Sequence, residues 1–253
     1  MPRYFIDIRY VGSRYCGWQR QLTGVSIQEV VEDKLSLLLR SPVIVVGSGR
    51  TDAGVHAIKQ VAHFDYAEDL PSKFIYRING MLPPEIAIYN PRIAVKPNLH
   101  ARYQAVFREY VYYLSRIKNP MTFGKSWLFT QPLDLSAMQA LGNLLISYTD
   151  FSALCKHNPD VKSTICHIHF CSWEDHQENW VFKIRANRFL WGMVRTIVGL
   201  MVDVGRRKIS LSKAEEIILS KDRQSAPMAA PAYGLFLSDV AYPPESFLEI
   251  PAR

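Results

Sequence analysis

The sequence predicts an α+β protein built from two similar α/β halves, each with a mostly antiparallel sheet flanked by helices. Three observations point to this class. First, the chain has 253 residues, 48% hydrophobic and 21% charged, enough apolar content to bury a sizeable core. That length suits one large domain or two of roughly 100–150 residues. Second, strand-like and helix-like periodicities alternate along both halves. Third, strand-like segments come in hairpin-like pairs between helices, which favours antiparallel sheets over a doubly wound parallel one. The halves are expected at residues 1–103 and 104–253. No Pro/Gly-rich or low-complexity linker separates them, so they are expected to pack closely.

The elements follow in order. Tyr4 to Tyr10 reads as a strand. Ser26 opens a helix, and Glu29 three residues on completes a capping box. Ile27, Val30, Val31, Leu35 and Leu38 share one face of that helix. Pro42 to Val46 reads as a strand, and Gln60 to Tyr66 alternates as another with Val61, His63 and Asp65 on one face. Pro71 to Met81 reads as a helix, Ile86 to Ile93 as a strand, and His100 to Arg116 as a long tyrosine-rich strand. In the second half Asp134 to Ile146 is helical, while Lys162 to Trp173 and Asn179 to Asn187 are strands. Leu190 to Val204 is a helix. Ser212 with Glu215 caps a further helix running to Ser220, and Tyr233 to Val240 closes as a strand.

Charge and cysteine usage narrow the function classes. Thirty Lys+Arg against 23 Asp+Glu give a net charge of +7. An anionic partner, nucleic acid first, is one reading and ordinary surface solvation the other. Charges interrupt the apolar residues from Met1 to Tyr10, so no export signal is read there. Apolar runs fall well short of the roughly 18 residues that cross a bilayer. The protein is expected to be soluble and cytoplasmic. Four cysteines are too few for a disulfide framework in a chain this long. Cys155, His157, Cys166, His167, His169 and Cys171 are the best metal lookalike. There is no CxxC pair, and strand alternation puts Cys166 and Cys171 on opposite faces, so ordinary strand packing is the preferred account.

Chemistry concentrates in Gly47 to Ala57, GSGRTDAGVHA. Glycines permit close approach and positive φ, and such a loop at a strand end is where catalytic groups tend to sit. Arg50 and Asp52 are two residues apart and can face one cleft. The glycine spacing matches neither GxGxxG nor a P-loop. A turn in which Asp52 caps backbone N–H groups is the competing account. A second feature is Arg195, in the middle of the nearly all-apolar Leu190–Val204 stretch. A buried guanidinium needs a carboxylate, and Asp203, about 12 Å further along the axis, is too far for an easy pair. Asp52 is an attractive partner; escape of Arg195 to solvent is the alternative. A third is the run from Arg108 to Tyr113, with Tyr110 and Tyr112 on one face. Such a face stacks unpaired bases or packs cross-strand aromatics.

Together these segments resemble the TruA-type tRNA pseudouridine synthases. Gly49-Arg50-Thr51-Asp52-Ala53-Gly54-Val55-His56 is similar to that family's signature loop. Tyr10-Val11-Gly12 with Tyr15 to Gln21, Ser26-Ile27-Gln28, His100-Ala101-Arg102 with Arg108 to Tyr112, Phe189-Leu190 with Met193 to Gly199, and Ala226-Pro227 with Gly234-Leu235 extend the likeness along almost the whole chain. Thr196, the pair Trp191-Gly192 and Glu109 depart from the family's usual residues.

The resemblance implies ferredoxin- or RRM-like halves with an active-site cleft between them. It implies isomerisation of uridine to pseudouridine at positions 38, 39 and 40 of the tRNA anticodon stem-loop. It calls for no cofactor and no metal, and it implies a homodimer. Asp52 is the catalytic carboxylate, as nucleophile at C1′ or as base at the ribose C2′. Arg195 pairs with Asp52 and holds its rotamer. Tyr110 stacks on the target base with a part in proton transfer at C5. Leu235 packs against the base, and Arg50 enters the space left by the flipped nucleotide. Arg14, Arg20, Lys59, Arg77, Arg102, Arg206, Arg207 and Lys208 are candidate phosphate contacts. A non-catalytic RNA-binding module and an N-glycoside hydrolase are the rival functions.

Overall fold

The computed structural model describes residues 1–157 and 163–250. The chain forms two compact units, Met1–Val106 with Leu237–Arg253, and Phe107–Phe236. The expected halves were contiguous; instead the last segment, from Leu237 on, belongs with the N-terminal unit. Among the described residues no helix is long and apolar enough to cross a membrane.

The first unit opens with β1 (Arg3–Tyr10), α1 (Ile27–Leu39), β2 (Val46–Gly47), β3 (His56–Asp65), α2 (Phe74–Met81) and β4 (Ile86–Ala94). Its sheet runs β10 (Phe247–Glu249), β4, β1, β3, with β2 also on β3, and these pairs are antiparallel. Ser26 caps α1 as its sequence requires. Its side chain accepts from the Glu29 N–H at 3.2 Å, and Glu29 reaches back to the Ser26 N–H. Ile27, Val31 and Leu35 are buried from that helix, the face its spacing marked. Asn79 ties α2 to β4 by exchanging two 2.8 Å hydrogen bonds with the backbone of Ile88.

The second unit contains β5 (Phe107–Ser115), β6 (Trp127–Leu128), α3 (Leu135–Ile146), β7 (Ile168–His176), β8 (Asn179–Ala186), α4 (Met193–Gly205) and α5 (Leu211–Ser220). β8 lies between β5 and β7 in antiparallel register, and the short β6 runs parallel to β5. α3 packs on β7, α4 and α5. β9 (Leu235–Ala241) spans the boundary residue Leu237. The mostly antiparallel α+β expectation therefore holds.

Several element boundaries differ from the periodicity, each for a visible reason. Residues 42–45 are not strand. The Val43 N–H donates to Ser36 Oγ at 2.9 Å, the Val45 N–H to Glu32 Oε1 at 3.0 Å, and the Val45 carbonyl accepts from Gln28 Nε2 at 2.9 Å. Side chains of α1 have taken the backbone groups a strand partner would use. Residues 100–104 form a turn, because the Tyr103 and Gln104 N–H groups both donate to the His100 carbonyl; strand begins only at Phe107. Before Ile168 the chain pairs with residues 149–150 instead of β8, through the Cys166 N–H and the Asp150–Ile165 bridge. Lys162, expected to start that strand, lies outside the described residues. α4 starts at Met193 because Gly192 adopts φ 73°. The α5 cap is Ser210, which accepts from the Lys213 N–H at 3.1 Å; Ser212 lies inside the helix.

β3 is buried on both faces. Gln60, Val61, Ala62, His63 and Phe64 are all nearly inaccessible, so the predicted one-sided alternation fails here, as it does for strands covered on both sides. Its polar members need partners. His63 Nδ1 accepts from the Ala101 N–H at 3.1 Å, and its ring stacks on Phe5. Burial, with Arg3 and His100 nearby, lowers the His63 pKa to about 4.

Two outcomes follow from this packing. Ser26→Ala should lower stability by about 1 kcal/mol in urea titrations with an unchanged m-value. For His63 the folded pKa lies below the unfolded value, so between about pH 6.5 and pH 4 the unfolded chain binds more protons and stability falls as pH falls. Above that window its contribution is constant. At full development the loss is on the order of 3 kcal/mol. The stability gap between wild type and His63→Gln should therefore narrow from pH 7.5 to pH 4.5; a constant gap contradicts the assignment.

Candidate active site

The Gly47–Ala57 segment turns at the end of β2, and its backbone is held from several sides. The Ser48 N–H donates to the Val61 carbonyl at 2.7 Å. Buried Gln60 on β3 bridges the loop, with Oε1 accepting from Ser48 Oγ at 2.5 Å and Nε2 donating to the Gly49 carbonyl at 2.8 Å. The Thr51 hydroxyl bonds the Tyr10 hydroxyl at 2.8 Å, a buried contact at the end of β1. The Trp18 N–H donates to the Thr51 carbonyl at 3.1 Å.

Asp52 itself starts a tight turn. Its carbonyl accepts from the Val55 N–H at 3.1 Å, and Gly54 supplies φ 80° at the third position, the geometry a type II turn demands of glycine. Beyond it, His56 is fully buried and its Nδ1 accepts from the Gly12 N–H at 3.0 Å. The Asp52 residue is half-buried, whereas Arg50 is exposed with its Nε donating to Gln19 Oε1 at 3.2 Å. A half-buried carboxylate on an immobilised turn and an exposed guanidinium two residues away thus share one loop.

In the second unit, Tyr110 and Tyr112 on β5 have separate fates. Tyr112 is fully buried and its hydroxyl donates to the Pro231 carbonyl at 2.9 Å. Burial, with Tyr233 adding to it, raises its pKa, so it stays a neutral donor. It belongs to the core and not to a stacking face. Tyr110 is 8% exposed and meets Phe189 edge-on at 5.1 Å. Arg108 is also buried and donates to the Asn187 carbonyl at 2.9 Å. Glu109 pairs with Arg185 at 2.6 Å across to β8.

Arg195 lies in the first turn of α4, not in its middle, and is half-buried among buried neighbours. Its Nε donates to the Ala230 carbonyl at 2.7 Å, and its own carbonyl accepts from the Ala230 N–H at 2.9 Å. Leu235 is buried at the start of β9.

The cysteine and histidine cluster separates by burial. Cys155, Cys166 and Cys171 are buried, whereas His157, His167 and His169 are exposed. Burial pushes the Cys166 and Cys171 thiols up to about 12, far from the thiolate a metal needs. Among the described residues no group of three potential ligands forms a metal site.

Many cations expected to meet phosphate have acidic neighbours. Arg14 pairs with Glu85, Arg20 with Glu32, Lys59 with Asp239, Arg207 with Asp134, and Lys208 with Asp203. Sequence reading missed the supports of the Asp52 turn, above all Gln60 and the Tyr10–Thr51 pair. The available signal was a glutamine beside the apolar pair Val61-Ala62 in a strand.

Comparison with known proteins places these features in a family. The tRNA pseudouridine synthase family matches residues 145–243. A relative from Azobacteroides pseudotrichonymphae named tRNA pseudouridine synthase A is 43% identical, covering 96% of this chain and 98% of its own. A protein of the same name from Porphyromonas gingivalis is 43% identical over 98% of this chain and 100% of its own. Another from Chlamydia pneumoniae is 37% identical over 96% and 92%.

Gly17 tests how tightly the turn is held. It has φ +108°, and an added Cβ would lie 2.6 Å from the Thr51 carbonyl oxygen. Gly24 also has positive φ, but a Cβ there meets only Cys16, at 3.4 Å or more. Gly17→Ala should therefore destabilise by well over about 1 kcal/mol in urea unfolding, and by more than Gly24→Ala. Equal losses would show that the turn yields freely.

Proposed function

The chain belongs to the tRNA pseudouridine synthase family, and we propose that it converts uridine to pseudouridine at positions 38, 39 and 40 of the tRNA anticodon stem-loop. Enzymes of this family are isomerases. The observation that supports the reading most is the match of nearly the entire chain to tRNA pseudouridine synthases, which gives the held Asp52 turn a reaction to perform.

The reaction breaks the N1–C1′ bond and forms a C5–C1′ bond within one nucleotide. The proton lost from C5 is balanced by one gained at N1, so no oxidant, reductant or energy source enters. Asp52 acts as an ionised carboxylate, either attacking C1′ or taking a proton from C2′. A carboxylate whose turn is fixed before substrate arrives needs little reorganisation to reach a reacting carbon. In this reading Arg195 is the ion-pair partner that keeps the Asp52 rotamer, Tyr110 stacks on the detached base, Leu235 packs beside it, and Arg50 fills the vacated place in the RNA stack. The enzyme works as a cytoplasmic homodimer, and its affinity for tRNA is largely electrostatic.

Release of label from C5-tritiated uridine, followed by nucleoside analysis, tests this. Pseudouridine is expected; free uracil would indicate a hydrolase, and unchanged RNA a binding module. Asp52→Asn should lower the rate about 10³-fold or more while RNA still binds. Arg195→Met, apolar like its helix neighbours, should fold and lose about 100-fold in rate. A near-native rate in either variant would refute its role.

A further inference from the structure

The first unit contains a pocket of about 250 Å³, and the Asp52 loop forms part of its wall through Gly47, Gly49 and Arg50. Trp18, Ile44, His100, Arg102 and Tyr103 complete the lining that matters here. The lining contains two guanidiniums and no carboxylate, so it favours an anion. It also presents flat and apolar surface to solvent: Tyr103 is 74% exposed and Ile44 76%. An exposed aromatic beside paired cations is the chemistry that holds a nucleotide, through its base and its phosphate.

The aromatic wall is fixed in advance. Tyr103 packs on the His100 ring at 4.4 Å. The turn beneath is closed by the Tyr103 N–H on the His100 carbonyl and the Arg102 N–H on His100 Nδ1, and is anchored by the Ala101 N–H on buried His63. Arg50 is tied by its Nε bond to Gln19, which also lines the pocket. Gly49 and Asp52 are three residues apart, at most ~11 Å along extended chain, a span of about three stacked nucleotides.

We propose that this pocket is a subsite for a nucleotide flanking the target uridine and unstacked from its neighbours, its base stacked on Tyr103 and its phosphate met by Arg102. The assignment rests on the reading that Asp52 acts on a tRNA uridine. It adds a contact that selects RNA by the availability of an unstacked neighbour instead of by the target base alone.

The test uses Asp52→Asn as background, so that binding is read without turnover. Anticodon stem-loop RNA carries 2-aminopurine at each position flanking the target, one at a time. One position should be quenched on binding. Adding Tyr103→Ala should abolish that quench and weaken Kd about tenfold, whereas Tyr103→Phe keeps both. Arg102→Gln should lower the slope of log Kd against log salt by about one. Unchanged quench and Kd in the Tyr103→Ala background would overturn the proposal. So would a change in self-association at unaltered RNA affinity, which would make the pocket a protein contact. Pseudouridine formation by the wild-type chain is scored on the same RNA: its absence refutes the proposed reaction, while the binding arms still decide the pocket.

Discussion

The carbonyls of Gly49, Thr51 and Asp52 each accept a hydrogen bond, from Gln60, Trp18 and Val55 respectively. Two of those donors come from elsewhere in the unit, one from the middle of β3 and one from the loop after β1. Gln60 is wholly enclosed, so releasing the loop would leave a buried amide unsatisfied, at a cost of about 1–3 kcal/mol. The turn is therefore stiff for the same reason the core is stable. A side chain can serve as a reacting group only if its backbone does not drift, and here the surrounding sheet prevents drift.

The second unit uses a similar device on a different segment. Ala230 and Pro231 lie on the chain leading into β9, and their carbonyls accept from Arg195 and Tyr112. The Ala230 N–H returns a bond to the Arg195 carbonyl. One extended stretch thereby sets the start of α4, the middle of β5 and the entry to Leu235. Tyr112 is fully buried, where a bond to a carbonyl offsets desolvation. Tyr112, aligned with Tyr110 by the period of two, serves this scaffold, and burial keeps its hydroxyl protonated.

Surface charge is organised less by sign than by neighbours. Most of the cations that a basic composition marks as phosphate contacts stand beside carboxylates, and such exposed pairs are individually weak. Arg50 and Arg102 differ in lining a pocket wall that contains no acid. A modest excess of +7 is thus compatible with a local surface far more selective than the total implies.

The amino-acid sequence by itself determined the α+β class, the Ser26–Glu29 capping box, the order of the helices and the longer strands, and the Gly49–His56 loop that contains Asp52. These depend on local periodicity, capping chemistry and motif spacing, which a linear string contains. Tertiary structure alone decided where backbone groups went when side chains competed for them. Residues 42–45 lost strand pairing to Ser36, Glu32 and Gln28 of α1, and residues 100–104 closed into a turn over His63. It also decided that Leu237 onward belongs with the N-terminal unit, that Tyr112 is core, and that Gln60 holds the loop. Each of these is a contact between residues distant in sequence, chosen by which buried polar groups could satisfy one another, and no periodicity along the chain records that choice.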